Sequence, residues 1–376
     1  MNFDSSEEQR LLTDSIKRFI GNDYGFELRK NIVDSVAGYS EAVWATFAGM
    51  GLLGLPFSAD YDGFGGGAVD MMGVMEAIGD ALVVEPYLST VGLGAQFIAR
   101  AGTDAQKKAI LPAIIAGKLK MAFAQSEKDA RYHLAHVATK AKKSTAGWAI
   151  YGEKRVVVHG PCADQLVVSA RTSGKETDTK GISLFLVDAK AAGVAMKSYR
   201  TIDELRAADI VFKGVSVAAD ALIGKEGEAL ALIEEVIDYA TALLCAEAVG
   251  ALKYANDATL EYIKTRKQFG VPIGTFQALQ HRMVDMVISY EQAKSMACLA
   301  CVKVDSEKDA AERRRVISAA KIRIADACRH VSQEAVQMQG AMGMSEEMKV
   351  SHIFRRLTMI AQQFGDADYH LERFAA

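Results

Sequence analysis

Apolar positions near the start of the chain recur every three or four residues. After Glu7, the residues Leu11, Leu12, Ile16 and Phe19 share one helical face, and Asp4 or Ser5 stands where a cap belongs. The Gly/Pro-punctuated stretch GLLGLPFSADYDGFGGGAVD interrupts this pattern. Helical spacing then returns over 69–82, 90–101 and 104–117. Between 119 and 221 the pattern changes. VATKAK, WAIYGEKRVVVHG, DQLVVSAR, ISLFLVDA, VAMKSY and DIVFKGVSV are short and rich in β-branched residues, with turn signals such as TSGKETDTKG between them. From about 226 the helical pattern resumes in long pieces: 228–264, 274–304, 308–340, 347–361 and 365–374. The expected fold is α+β but mainly α. It comprises an N-terminal helical domain (1–118), a small β-barrel or sandwich domain (119–221) and a C-terminal four-helix bundle (222–376).

Composition narrows the function. A chain of 376 residues, half of them apolar, can bury a large core. A net charge of -3 and a pI near 6.2 argue against nucleic acid or an anionic membrane as partner. The acidic N-terminus lacks the basic start and apolar block of a signal peptide, and no apolar run reaches the ~18 residues of a membrane span. A soluble cytoplasmic protein is therefore expected. Cysteines at 162, 245, 298, 301 and 328 are scattered and odd in number, which suits reduced thiols. Cys298 and Cys301 form a lone C-x-x-C in a helical pattern and read as core residues. The seven histidines show no metal-ligand spacing, so no metal is expected. His159, at the end of a strand, reads as a surface residue. DGFGGG lacks the Lys-Ser/Thr and the upstream strand of a phosphate loop and reads as a turn.

One stretch fits neither core nor plain surface. RKQFGVPIGTFQALQHRMVDM, residues 266–286, combines cations, glutamines, aromatics and a tight turn before an amphipathic helix. That mixture suits a ligand both flat and charged. With QMQGAMGM (337–344), EEQRLL, GLLGLPF and the helical–β–helical order, it resembles the acyl-CoA dehydrogenase family along the whole chain. CAEAVGA and FGDADYHLERF are similar to the small subunits of bacterial two-subunit members, the pimeloyl-CoA dehydrogenase small-subunit type, which are related to steroid side-chain dehydrogenases.

The resemblance implies FAD as cofactor, lying between the β-domain and the bundle, with its adenosine end reaching a neighbouring subunit. Arg266 would neutralise the diphosphate with forked donors. Gln268 and Gln277 would bond diphosphate, ribose or adenine edges, and Phe269 and Phe276 would give flat apolar surface. The alternative is that both aromatics are core and Arg266 caps a helix. Gln337, Gly340 and Ala341 match cofactor-contacting positions, where small residues admit close backbone approach.

The sequence also departs from the family. The usual base, a Glu before a Gly near the C-terminus, falls on Phe364 in QQFGDAD. Gly365 keeps the Gly, and Asp366 stands where a hydroxyl meets the flavin. A second family location falls on Ala240. A third candidate is Glu247, on the apolar stripe of Ile233, Ile237, Ala240, Leu244 and Ala251. Burying a lone carboxylate is costly. Either a buried Arg or Lys pairs with it or it is the base. Catalysis is the favoured reading, with Asp366 second. The Phe364 backbone N–H would polarise the substrate carbonyl whatever its side chain. In the β-domain, FAQSE (123–127) and VVV (156–158) replace the family's flavin-contacting runs. Phe123, Ala124, Ser126 and Val158 then line the ring, with Ala124 and Val158 in place of threonines.

The implied function is α,β-dehydrogenation of an acyl-CoA thioester. A carboxylate takes the α-proton, the β-hydride goes to FAD N5, and electrons pass to an electron-transfer flavoprotein. The assembly would be a homo-oligomer or a heterotetramer with a large subunit. The alternative is a non-catalytic or half-site partner subunit of a heteromeric dehydrogenase.

Overall fold

The computed structural model describes residues 7–145 and 147–376, leaving aside the side chains of Glu8 and Gln9. Asp4 and Ser5, the expected caps of the first helix, lie outside the described residues. The helices are α1 (Glu7–Asp23), α2 (Phe26–Asp34), α3 (Glu41–Gly49), α4 (Ala68–Ala81), α5 (Ala95–Ala101), α6 (Asp104–Ile115), α7 (Leu230–Thr265), α8 (Gln277–Ser306), α9 (Ala310–Gln339), α10 (Lys349–Gln362) and α11 (Ala367–Ala375). The strands are β1 (Met121–Ala124), β2 (Lys140–Ser144), β3 (Gly147–Val158), β4 (Gln165–Arg171), β5 (Ile182–Asp188), β6 (Val194–Arg200), β7 (Arg206–Val217), β8 (Leu222–Ile223), β9 (Lys267–Gln268) and β10 (Val271–Pro272). No helix of the described residues is long and apolar enough to cross a membrane.

Two compact units emerge. One takes the stretch ending at Lys30, Gly67–Val83 and Thr241–Ala376; the other takes Asn31–Gly66 and Val84–Ala240. In the first unit, α4 and α7 cross with backbones nearly touching. A Cβ on Gly250 would stand 1.8 Å from Glu76 O, and one on Gly79 would stand 1.9 Å from Glu247 O. Only glycine permits that approach. The two C-x-x-C cysteines sit on α8. Cys301 is buried against the Ala242 carbonyl, and Cys298 is partly buried.

The second unit holds an eight-stranded sheet of order β6-β7-β3-β2-β4-β5-β8, with β1 parallel to β4. Trp148 on β3 meets Phe185 on β5, 5.2 Å between ring centroids, although two strands separate them in the sheet. The sheet therefore curls round one apolar core that also holds Ile150, Leu166, Val168, Val187, Ile210 and Phe212. A wholly buried Lys154 stitches it. Its Nζ donates to Gln125 O (3.1 Å), Glu127 Oε1 (2.8 Å) and Ser169 Oγ (2.8 Å). Burial pushes the Lys154 ammonium down to about 8, against the pull of Glu127. Burial works on Glu127 in the raising direction, but Lys154 and the Ala138 and Thr139 donors hold it below the usual carboxylate range.

His159 differs from its expected surface place. It is 5 % exposed, at positive φ, with Nδ1 2.8 Å from Ser89 Oγ and Nε2 3.1 Å from Val84 O. The preceding strand bulges, so the ring turns inward. A bulge is a tertiary device that β-branched composition does not announce.

Candidate functional site

Helix α7 ends at Thr265, and the RKQFG stretch that follows folds as a minimal hairpin. Val271 pairs with Gln268 and Pro272 with Lys267. Phe269 and Gly270 both take positive φ, 54° and 83°. Such a two-residue turn matches the twist of antiparallel strands. The Ile273 N–H closes it onto Arg266 O at 2.9 Å. Phe276 then precedes α8 in extended backbone, with Gln277 as the first helical residue.

The hairpin displays its side chains rather than burying them. Phe269 is 92 % exposed and Phe276 40 %, meeting edge to face at 6.2 Å. Neither is core. Arg266, Gln268 and Gln277 are exposed as well. The Gln268 amide reaches only the neighbouring Lys267 carbonyl, at 2.8 Å. Arg266 has no side-chain hydrogen bond or ion pair among the described residues, so it is not spent on capping α7. An aromatic at that exposure sacrifices burial, and a guanidinium with no partner among the described residues keeps five donors unused. This donor and ring set fits a flat, anionic group, the character of the adenosine diphosphate half of FAD.

The second motif ends α9. Gly340 has φ 63° and opens a short 3₁₀ turn, Gly340–Met344. Gln337, Gly340 and Ala341 are all exposed. No atom lies within 4 Å of where a Gly340 Cβ would stand, so its backbone faces open space. Gln339 turns inward, its amide nitrogen 3.1 Å from Thr259 Oγ1, and leaves Oε1 buried without a partner.

The C-terminal turn is the most constrained part of the site. Phe364 and Gly365 take φ 62° and 120°. The Gln363 N–H bonds Met359 O at 2.9 Å and the Gly365 N–H bonds Gln362 O at 3.2 Å. The Phe364 N–H between them has no acceptor among the described residues. Asp366 caps α11, accepting from the Tyr369 N–H at 2.9 Å. Buried Lys321 on α9 donates to Ala361 O (3.2 Å) and Gly365 O (2.7 Å).

Glu247 is buried as its stripe required, but its surroundings differ from those expected. Instead of a lone carboxylate among apolar groups, Glu247 Oε1 accepts from Arg356 Nε on α10 at 2.6 Å, both side chains less than a tenth exposed. The ion pair is the structural role weighed against catalysis.

In the second unit, Phe123 and Ala124 end β1 in the interior, with the Phe123 ring tilted against Phe97 at 4.5 Å. Ser126 is exposed, and its carbonyl receives the Arg155 N–H at 2.8 Å. Val156 takes φ 51°, strained for a β-branched residue, and is half exposed. Asp209 fixes the bulge, accepting from the Val156 N–H (3.1 Å), Arg155 (2.6 Å) and the Tyr199 hydroxyl (3.0 Å). Val158 is partly buried. Of the four β-domain candidates, only Ser126 offers a side-chain donor.

Sequence reasoning missed Arg356, Lys321 and His370. Lys321 had a signal: it falls on the buried stripe of Ile317, Ile324 and Cys328, where a cation needs a reason. Arg356 likewise interrupts the apolar run Val350, Ile353, Leu357, Ile360.

Known proteins match the chain along its whole length. The sequence matches "Acyl-CoA dehydrogenase, N-terminal domain" over residues 6–118, the middle domain over 122–215 and the C-terminal domain over 228–376. Acyl-CoA dehydrogenase FadE12 of Mycobacterium tuberculosis is 32% identical over 372 residues, covering 96% of this chain and 93% of the relative. The FAD complex of PigA has a TM-score of 0.91 at 26% identity, covering 100% of this chain and 98% of that one. The ChsE4-ChsE5 complex from Mycobacterium tuberculosis shares the fold, with a TM-score of 0.90 at 23% identity over 100% and 98% of the two chains.

Proposed function

This chain belongs to the acyl-CoA dehydrogenase family, FAD-dependent oxidoreductases, and from that premise we propose that it withdraws an α-proton and a β-hydride from an acyl-CoA thioester. FAD, when bound, supplies the hydride acceptor, and electrons leave to an electron-transfer flavoprotein. Arg266, Gln268, Gln277, Phe269 and Phe276 hold the adenosine diphosphate half, with Gln337, Gly340 and Ala341 beside it. Phe123, Ala124, Ser126 and Val158 meet the flavin ring largely through backbone and apolar surface.

The observation that carries the reading is the unpartnered N–H of Phe364 in a clamped turn. A thioester loses its α-proton only if enolate charge on the carbonyl oxygen is met by a fixed donor. The backbone supplies that donor although the family's Glu side chain is gone. For the proton we propose Glu247, held in place by Arg356 through Oε1. Glu247→Gln should retain FAD yet abolish flavin bleaching and α-proton exchange; bleaching at the wild-type rate removes Glu247 from the role.

A second reading is favoured by one observation. Both candidate carboxylates are engaged, Glu247 with Arg356 and Asp366 at the start of α11. A half-site subunit whose partner chain brings the base would look like this. Purified protein should be yellow and bleach anaerobically with one of a panel of fatty, aromatic, dicarboxylic and steroid-side-chain acyl-CoAs. A yellow protein that bleaches only with a partner dehydrogenase chain present selects the half-site reading.

A further inference from the structure

We propose that Lys321 and His370 are positioning residues that fix the backbone N–H of Phe364 as the donor to the thioester carbonyl. The proposal rests on the dehydrogenase reading and deepens it. The turn leaves α10 at Gln362 and enters α11 at Ala367, and each of its parts is tied from within the same unit. Lys321 Nζ donates to Gly365 O at 2.7 Å and to Ala361 O at 3.2 Å. His370 Nε2 lies 3.1 Å from Phe364 O, and its Nδ1 lies 3.3 Å from Ser318 Oγ. A carbonyl can only accept, so Nε2 carries the proton and Nδ1 accepts from the Ser318 hydroxyl. Ser318 and Lys321 are three residues apart on α9, so one helical face delivers both ties.

The chemistry of Lys321 calls for such a role. It is fully buried, and among the described residues no carboxylate lies within salt-bridge distance. An ammonium in that setting is costly, and two backbone carbonyls are all it binds. Its two hydrogen bonds tie the last turn of α10 and the turn that follows to α9. Phe364, a non-glycine residue at φ 62°, would not hold that backbone unaided. Gly365 must stay glycine, because a Cβ there would meet Tyr369 Cδ1 at 2.3 Å and His370 Nε2 at 2.8 Å. Burial, followed by Lys321 and Arg373, presses His370 down to about 3, so the ring remains neutral with a single N–H to give. With the Phe364 and Gly365 carbonyls bonded inward, the Phe364 N–H, which has no acceptor among the described residues, is left for a ligand.

The test separates positioning from packing. Affinities of the FAD-loaded protein would be measured calorimetrically for crotonyl-, 2-octenoyl- and 2-hexadecenoyl-CoA. The references are S-butyl-, S-octyl- and S-hexadecyl-CoA, thioethers with no carbonyl. Wild type should prefer a carbonyl compound over the matching thioether. Lys321→Met and His370→Phe should each lose about five-fold of that preference, the worth of one hydrogen bond, with FAD content and thioether affinity kept. His370→Gln, whose amide can reach the same carbonyl, should retain it. Should Lys321→Met fail to fold, the two His370 variants decide alone. Variants that keep the wild-type preference, or lose both ligands equally, overturn the positioning role. Wild type that binds neither class and bleaches with no acyl-CoA of the fatty, aromatic, dicarboxylic and steroid-side-chain panel overturns the dehydrogenase reading instead.

Discussion

Glu247 and Arg356 face each other inside packed helices, and that changes what it costs to remove one of them. Removing Arg356 leaves the Glu247 carboxylate buried without its cation, a loss of about 3–5 kcal/mol. Arg356→Met should therefore destabilise strongly in urea unfolding, and the double variant Glu247→Met/Arg356→Met should recover much of the loss. Additive losses would show that the two charges are not coupled. His370 gives a second residue-scale expectation. Its folded value, near 3, lies below its ordinary 6.5, so between those pH values the unfolded chain binds the extra proton. Stability should fall as pH drops from about 6.5 towards 3, and less steeply in His370→Gln. Parallel pH profiles of thermal unfolding would refute this. The sequence revealed that Glu247 is buried, because five of six positions on its stripe are apolar. It could not reveal Arg356, since a partner 109 residues away is set by helix packing and not by spacing.

Helices and strands were legible where periodicity is strong. The expected helix at 274–304 forms over Gln277–Ser306 and that at 308–340 over Ala310–Gln339. The segment expected to be helical over 90–101 is less regular. It opens as a π-helix, Leu88–Gly94, before α5, and its polar Ser89 and Thr90 are buried and hydrogen-bonded. A widened turn arises from tertiary bonds, so apolar spacing cannot signal it. The α4–α7 crossing also hides in the sequence, where Gly79 and Gly250 look like ordinary helix-weakening residues. Gly250→Ala would normally favour a helix by roughly 1 kcal/mol. Here the added methyl meets Glu76 O and Asp80 N, and the crossing must open. Net destabilisation of about 1–3 kcal/mol is expected, read as a lower urea midpoint; a raised midpoint would mean that the helices can shift apart freely.

At the scale of the molecule, the first unit leaves an apolar strip uncovered. Leu260, Val284, Val287 and Ile288 line a cavity of about 560 Å³ with Ile263, Met283 and Pro272, and the exposed Phe269 and Phe276 belong to the adjoining hairpin. Scattered exposed apolar residues are ordinary, but a contiguous strip along two helices is not. The family resemblance implies an assembled protein whose FAD adenosine end reaches a neighbouring subunit. Under the proposed function the strip and the exposed Arg266 would share one explanation, completion against a second chain. Val287→Asp, on the exposed face of α8, should cost the isolated fold less than about 0.5 kcal/mol. Placed in an apolar contact between chains, the same carboxylate loses its water without gaining a partner. Sedimentation should then show a smaller species than wild type, and FAD should wash out more readily on gel filtration, because the adenosine end loses its neighbour. A variant of unchanged size and unchanged flavin content would place the subunit contact elsewhere and return Arg266 and Phe269 to the solvent.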